Sequence, residues 1–180
     1  KIGFIGCGNM ARAMIAGLLN SNIAMPDSIL ASNSTAGKLE AAKRDFGIGV
    51  TSDNKSVARF ADILVLSVKP NKYKEVIKEI RNDVKEDAVI VTIAAGIKIR
   101  TVEAFFGKEL KIVRTMPNIS AVVGEAMTAL CCNGQVTEEE LKDVYDIFSS
   151  FGMVETLDET LMDVFTAASV SSPALVYMLI

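Results

Sequence analysis

The sequence predicts an α/β fold built on a doubly wound, mostly parallel sheet, and three observations predict it. Short apolar runs recur along the chain as far as Pro117, and stretches with helical spacing separate them. Two of the runs, ADILVLSV at 61–68 and DAVIVTIAAG at 87–96, are unbroken and rich in β-branched residues, which suits strands buried on both faces. The opening run, IGFIG, breaks at Gly6-Cys7-Gly8 and passes straight into helical spacing, the start of a βαβ unit.

The first element has a rival reading. KIGFIGCGNMARAMIAGLL carries one lysine, apolar residues and small residues, as a secretory leader does. Arg12 interrupts the apolar run, however, and Met10, Met14, Gly17 and Leu18 recur at helical spacing, so strand, turn and helix is the reading. DSILAS at 27–32 follows as a second strand, with a helix near 36–45. Helices near 54–60, 71–82 and 98–106 alternate with the strands at 61–68, 87–96 and 109–117, and Pro117 stops the last of these. AMTALCCN at 126–133 is a further strand. Thr137 and Glu140 have capping-box spacing and open an amphipathic helix over 137–152, after which MVETL at 153–157 closes the sheet.

The tail differs in kind. Residues 158–165 read as a helix, and Ser171-Ser172-Pro173 as the cap and first turn of another. That second helix is too short to span a membrane and is apolar up to Ile180, which implies a helical region continuing beyond this chain.

Composition excludes several kinds of function. At 180 residues the chain is one domain, or one domain and the start of another. A net charge of −3 with scattered Lys and Arg gives no nucleic-acid surface. The three cysteines, of which Cys131 and Cys132 are adjacent, form neither a disulfide framework nor a zinc-ligand pattern, and a cytoplasmic protein is expected. Histidine is absent, which excludes Ser-His-Asp and Cys-His chemistry and a His-ligated metal within this chain. No metal site is expected, and any chemistry must rest on a cofactor or on other residue types.

The glycine turn indicates which cofactor. Gly6 permits the tight turn, Gly8 lets the backbone approach a pyrophosphate, and Ala11 allows close helix packing, as in the dinucleotide fingerprint of Rossmann-type domains. The helix N-terminus then offers free N–H groups and a partial positive charge. At the end of the second strand, where an NAD site usually carries Asp or Glu, the sequence is ASNSTAGK, with no acid before Glu40. Ser32, Asn33, Ser34 and Thr35 could hydrogen-bond a 2′-phosphate and Lys38 could neutralise it, so NADPH is expected in preference to NADH. Lys69 and Pro70, in SVKPN, and the small residues of TIAAGI fall at strand ends facing the same crevice. Asn54, on spacing alone, reads as a helix cap.

Taken together, GFIGCGNMARAMIAGL, ASNST, SVKPN, IAAGI, RTMPN and SSPA resemble pyrroline-5-carboxylate reductase, over residues 2–180 and in the family's order. The resemblance implies a dinucleotide-binding Rossmann domain over 1–157 and, over 158–180, the beginning of an all-helical dimerisation domain, incomplete here. It also implies reduction of 1-pyrroline-5-carboxylate to L-proline with NADPH or NADH, by a homodimer or higher homo-oligomer built through helices beyond residue 158.

Carried over residue by residue, the cofactor would be touched by Ile5, Gly6, Cys7, Gly8, Asn9 and Met10, and by Asn33, Ser34, Thr35 and Asn54. Ser67, Val68, Lys69 and Pro70, with Ile93, Ala94 and Ala95, would continue the site, and Met116, Pro117 and Asn118 would lie near the nicotinamide. The resemblance gives no general acid; Asn118, Ser171 and Ser172 are positioning candidates. Three positions depart from the family pattern: Ser34 stands where many relatives have Arg, Val170 where Gly is usual, and Leu175 where Tyr often follows.

Two other readings stay open at this point. One is another NADP-dependent reductase, of the hydroxyacid, ketopantoate or deazaflavin-dependent type. The other is a nucleotide-binding module without turnover. Carbonyl reduction generally wants Lys or His beside the developing alkoxide, and residues 164–180 contain neither.

Overall fold

The structure, a computed structural model, describes residues 1–171 and Met178. Its frame is an 8-stranded sheet in the order β3-β2-β1-β4-β5-β6-β7-β8. The first six strands are β1 (Ile2–Ile5), β2 (Ile29–Ser32), β3 (Gly49–Thr51), β4 (Ile63–Leu66), β5 (Val89–Thr92) and β6 (Lys111–Met116). They are parallel to one another, and their order, 3-2-1-4-5-6, reverses direction between β1 and β4. β7 (Ala126–Cys132) runs antiparallel to β6, and β8 (Gly152–Thr156) pairs parallel with β7 at the edge.

Helices cover both faces, as buried parallel strands require. α1 (Asn9–Asn20), α2 (Ala36–Phe46) and α6 (Glu138–Ser149) bury Met14, Ile15, Leu18, Ala42 and Phe148 against Phe4, Val65 and Val91. On the other face, α3 (Asn54–Phe60), α4 (Tyr73–Ile80) and α5 (Ile99–Phe106) bury Val57, Ile77 and Val102 against Ile5, Leu64 and Ile90. Gly3 makes the second face tight, since a Cβ there would lie 2.7 Å from that of Ala61 and 2.8 Å from Val57. The opening stretch is therefore a central strand, a turn and a core helix. The capping box of α6 forms as expected, with Thr137 and Glu140 each accepting the other's backbone N–H.

Several details differ from the sequence reading. β3 is a short edge strand that the pattern does not announce. The cap of α3 is Asp53, whose carboxylate accepts from the N–H groups of Lys55 and Ser56; Asn54 is the first helical residue. Residues 158–165 form a 3₁₀ turn at Glu159–Leu161 and a single α turn, α7 (Met162–Phe165), and a π turn at Thr166–Val170 follows. Ser172, Pro173 and Leu175 lie outside the described residues.

The join between the sheet and this tail is part apolar, through the buried Met162, and part ionic. Arg114, in mid-β6, is 1% exposed, and it donates to Glu159 at 3.2 Å and to Asp163 at 3.1 Å. Glu159 also accepts the N–H of Ile99 at 2.8 Å, so one carboxylate ties β6, the start of α5 and the tail together.

Candidate functional site: a crevice at the strand ends

The crevice forms where the strand order reverses, outside the carboxyl ends of β1 and β4. Gly6 has φ +95, and a Cβ there would stand 2.7 Å from the Ser67 carbonyl oxygen. This close approach is pinned by the Ser67 hydroxyl, which donates to the Gly6 carbonyl at 2.6 Å, and by the Ser67 N–H, which donates to Ile5 at 2.9 Å. Gly8 caps α1 with extended backbone, and a Cβ added there would meet nothing within 4 Å. No side chain caps α1, and its first turn holds no acid, so the helix start presents N–H groups to open space.

Around this turn lies a cavity of about 400 Å³, lined by Gly6, Gly8, Asn33, Ser34, Asn54, Ser67, Val68 and Lys69 among the expected residues. Lys38, expected as the counter-charge to a 2′-phosphate, also lines it, and Lys72, Glu75, Val76 and Glu79 complete it. The last four come from the stretch that follows SVKPN, where extending the motif along one helical face would have reached them. Ser32 does not face the cavity: it is fully buried, and its hydroxyl donates to Asn54 Oδ1 at 2.7 Å. Asn33 Oδ1 accepts the N–H of Thr35, which shapes the turn before α2. Ile5 and Cys7 are fully buried and line neither part of the crevice, and Asn9 is exposed at the helix start. Burial pushes the Cys7 thiol up, although Arg12 and Lys38 pull the other way, so it stays protonated and unreactive at neutral pH.

A second recess of about 350 Å³ adjoins the first at Val68 and is mostly apolar. Met10, Pro70, Ile93, Ala94, Ala95, Met116 and Pro117 line it, together with Ile119 and Val170. The loops after β4 and β5 are set by a buried bracket beneath them. The Tyr73 hydroxyl donates to the Leu66 carbonyl at 2.6 Å and accepts from Thr92 at 2.9 Å, and desolvation pushes its pKa up to about 12. Gly96 turns the second loop with φ +74.

Asn118 is 8% exposed and points elsewhere, accepting the Met127 N–H at 3.2 Å and donating to the Ser169 carbonyl at 3.4 Å. It fastens the end of β6 to β7 and to the tail. Ser171 is exposed, and its N–H donates to Thr166; neither it nor Asn118 lines the recess. The family's glycine position at Val170 needs no special backbone here, because Asn22 is the only non-glycine residue with positive φ among the described residues. Instead the Val170 side chain becomes a wall of the recess.

The residues present fit a dinucleotide. The open cradle at Gly8 and the uncapped helix have the form to hold a pyrophosphate, the polar cavity with Val76 that for an adenosine, and the apolar recess that for a flat ring. Larger cavities of about 460 and 570 Å³ share no residue with this crevice, and the α5 start in the first is already occupied by Glu159. Among the described residues there is no cluster of potential metal ligands, and no helix is long and apolar enough to cross a membrane.

Fold and crevice together define a dinucleotide-binding oxidoreductase of the Rossmann class. A family model described as NADP oxidoreductase, coenzyme F420-dependent, matches residues 1–96, the nucleotide-binding half. The pyrroline-5-carboxylate reductase of Escherichia coli (strain K12) is 38% identical over 180 residues, 100% of this chain and 67% of that protein. The solved structure of a pyrroline-5-carboxylate reductase from Coxiella burnetii matches with TM-score 0.94 at 32% identity, covering 99% of this chain and 66% of the other. That of Plasmodium falciparum pyrroline carboxylate reductase with NADP bound matches with TM-score 0.89 at 33% identity, over 99% of this chain and 65% of the other. The chain belongs to the pyrroline-5-carboxylate reductase family. It spans about two thirds of the length of these relatives.

Proposed function

We propose that the protein containing this chain reduces 1-pyrroline-5-carboxylate to L-proline, using NADPH in preference to NADH. The observation that carries this reading is the joined crevice: an open pyrophosphate cradle at Gly8 runs, past Val68, into an apolar recess floored by Ala94 and Met116. Bound there, the dinucleotide supplies hydride from its nicotinamide ring. The chain's own part is to bind and orient. The N–H groups of α1 and Lys69 receive the phosphates, Ser34 and Lys38 favour a 2′-phosphate, and the recess walls hold a ring while excluding water.

The absence of histidine from this chain accords with this chemistry. A protonated cyclic imine is already electrophilic, so its reduction depends on placement more than on an acid. Asn118 acts as a positioning residue by holding the tail that carries Val170 against the end of β6. We further propose that helices beyond residue 158 complete the substrate site and form a homodimer or larger assembly, in the cytoplasm.

The test is the rate of NADPH and NADH oxidation by the full-length protein with 1-pyrroline-5-carboxylate, beside sedimentation at micromolar concentration. Turnover that requires the imine, faster with NADPH and from a sedimenting oligomer, is expected. Dinucleotide binding without turnover would instead make the protein a nucleotide-binding module.

A further inference from the structure

The end of β2 is where Rossmann sites that take NAD place an acid on the adenosine ribose, and this chain has Ser32 there. The structure nevertheless brings an acid to that place from another element. Buried Ser32 donates to Asn54 Oδ1 at 2.7 Å, and the Glu79 carboxylate on the other side, which can only accept, fixes which way round the amide sits. The Asn54 Nδ2 group then donates to Glu79 Oε2 at 3.0 Å, and Glu79, an exposed residue of α4, lines the crevice beside Asn54. A hydrogen-bonded chain thus runs from the strand end to a carboxylate that local sequence places far away.

We infer that Glu79 is a specificity-determining residue: held by Asn54, it supplies the acceptor for an adenosine 2′-hydroxyl and opposes a 2′-phosphate, so that its balance against Lys38 sets the preference between NADH and NADPH. The inference rests on the crevice being a dinucleotide site, as proposed above. The other charges in the cavity do not set this balance. Lys72 is paired with Glu75 at 2.8 Å, and Lys69 follows β4 beside the glycine turn, where it acts on the pyrophosphate that both dinucleotides share. Ser34 and Lys38, from the β2–α2 turn and α2, line the same cavity and favour the extra phosphate. A 2′-phosphate there meets one cation and one anion, whereas a 2′-hydroxyl can donate to the anion.

The experiment is calorimetric titration of the full-length protein with NADPH and with NADH, comparing wild type with Glu79→Gln, Lys38→Gln and Glu86→Gln. Glu86 is exposed on the loop before β5, away from the strand ends that form the crevice, and its substitution repeats the net-charge change without touching the site. For Glu79→Gln the ratio of the NADH Kd to the NADPH Kd is expected to rise about fivefold, the effect of removing one charge several ångströms from a phosphate in a solvated pocket. The ratio should fall for Lys38→Gln and stay at the wild-type value for Glu86→Gln. An unchanged ratio in Glu79→Gln, or equal weakening of both dinucleotides, overturns the inference while leaving the site itself standing. If the wild type binds neither dinucleotide, the reading of the crevice falls and the inference falls with it.

Discussion

Two glycines two residues apart carry different burdens, and replacing each by alanine separates them. At Gly6 the backbone is at φ +95, a region that costs an L-residue about 1–2 kcal/mol. The new Cβ would also stand 2.7 Å from the Ser67 carbonyl oxygen and 2.9 Å from its carbon. Those atoms cannot retreat freely, because the Ser67 hydroxyl and N–H hold the same turn at 2.6 and 2.9 Å. Losing one of these bonds adds about 1 kcal/mol, so Gly6→Ala should destabilise by about 2–3 kcal/mol and lower Tm by roughly 4–12 °C.

At Gly8 the backbone is at φ −87 and ψ −170, which alanine adopts, and nothing lies within 4 Å of the new Cβ. Its stability should stay within about 0.5 kcal/mol of wild type, a slightly worse N-cap offsetting a stiffer unfolded chain. The methyl group projects into the phosphate cradle, however, so NADPH affinity should fall about tenfold, equivalent to one charge-assisted hydrogen bond. Thermal unfolding without ligand and calorimetric NADPH titration read the two effects separately. If Gly8→Ala melts as low as Gly6→Ala, or binds NADPH like wild type, the assignment of the cradle is wrong.

Further outcomes follow from buried groups. Arg114→Met fills the same space and leaves Glu159 and Asp163, which are 31% and 64% exposed, able to hydrate; its cost in urea unfolding should be about 1–2 kcal/mol. Glu159→Ala leaves the guanidinium buried with one partner and uncaps the Ile99 N–H, and should cost more, about 3 kcal/mol. The Tyr73 phenol is held up to about 12 by burial, while an unfolded tyrosine ionises near 10; stability should therefore be full below pH ~10 and decline as pH rises toward 12. Urea unfolding of Tyr73→Phe across that range should start lower and lack this component of the slope. Burial raises all three thiols, Cys131 to about 12, so Cys7, Cys131 and Cys132 should resist iodoacetamide at pH 8 until denaturant is added, as mass spectrometry would show.

What the sequence disclosed was what depends on neighbours in the chain. The glycine turn was legible because its requirements, a positive φ at Gly6 and open space at Gly8, are met by local residue choice. The α6 cap was legible for the same reason. β3 escaped notice because GVT is only 3 residues at an edge, too short for a period, and it is a strand only by pairing with β2. Asp53 and Asn54 are both good caps on propensity, and only the geometry assigns the role to Asp53. Nothing near Arg114 in the chain explains its burial, because its carboxylate partners come from the tail. Glu79 lies on the helical face that runs on from Lys72, but its contact with Asn54 joins two helices, and no spacing rule shows that contact.

The most direct test of the central claim is a crystal structure of the full-length protein with NADP⁺. The account predicts the pyrophosphate over Gly8 at the start of α1, the adenosine between Ser34 and Glu79, and the nicotinamide in the recess between Ala94, Met116 and Val170. A dinucleotide bound elsewhere, for instance in the cavity beside Cys131 and Glu159, would contradict it.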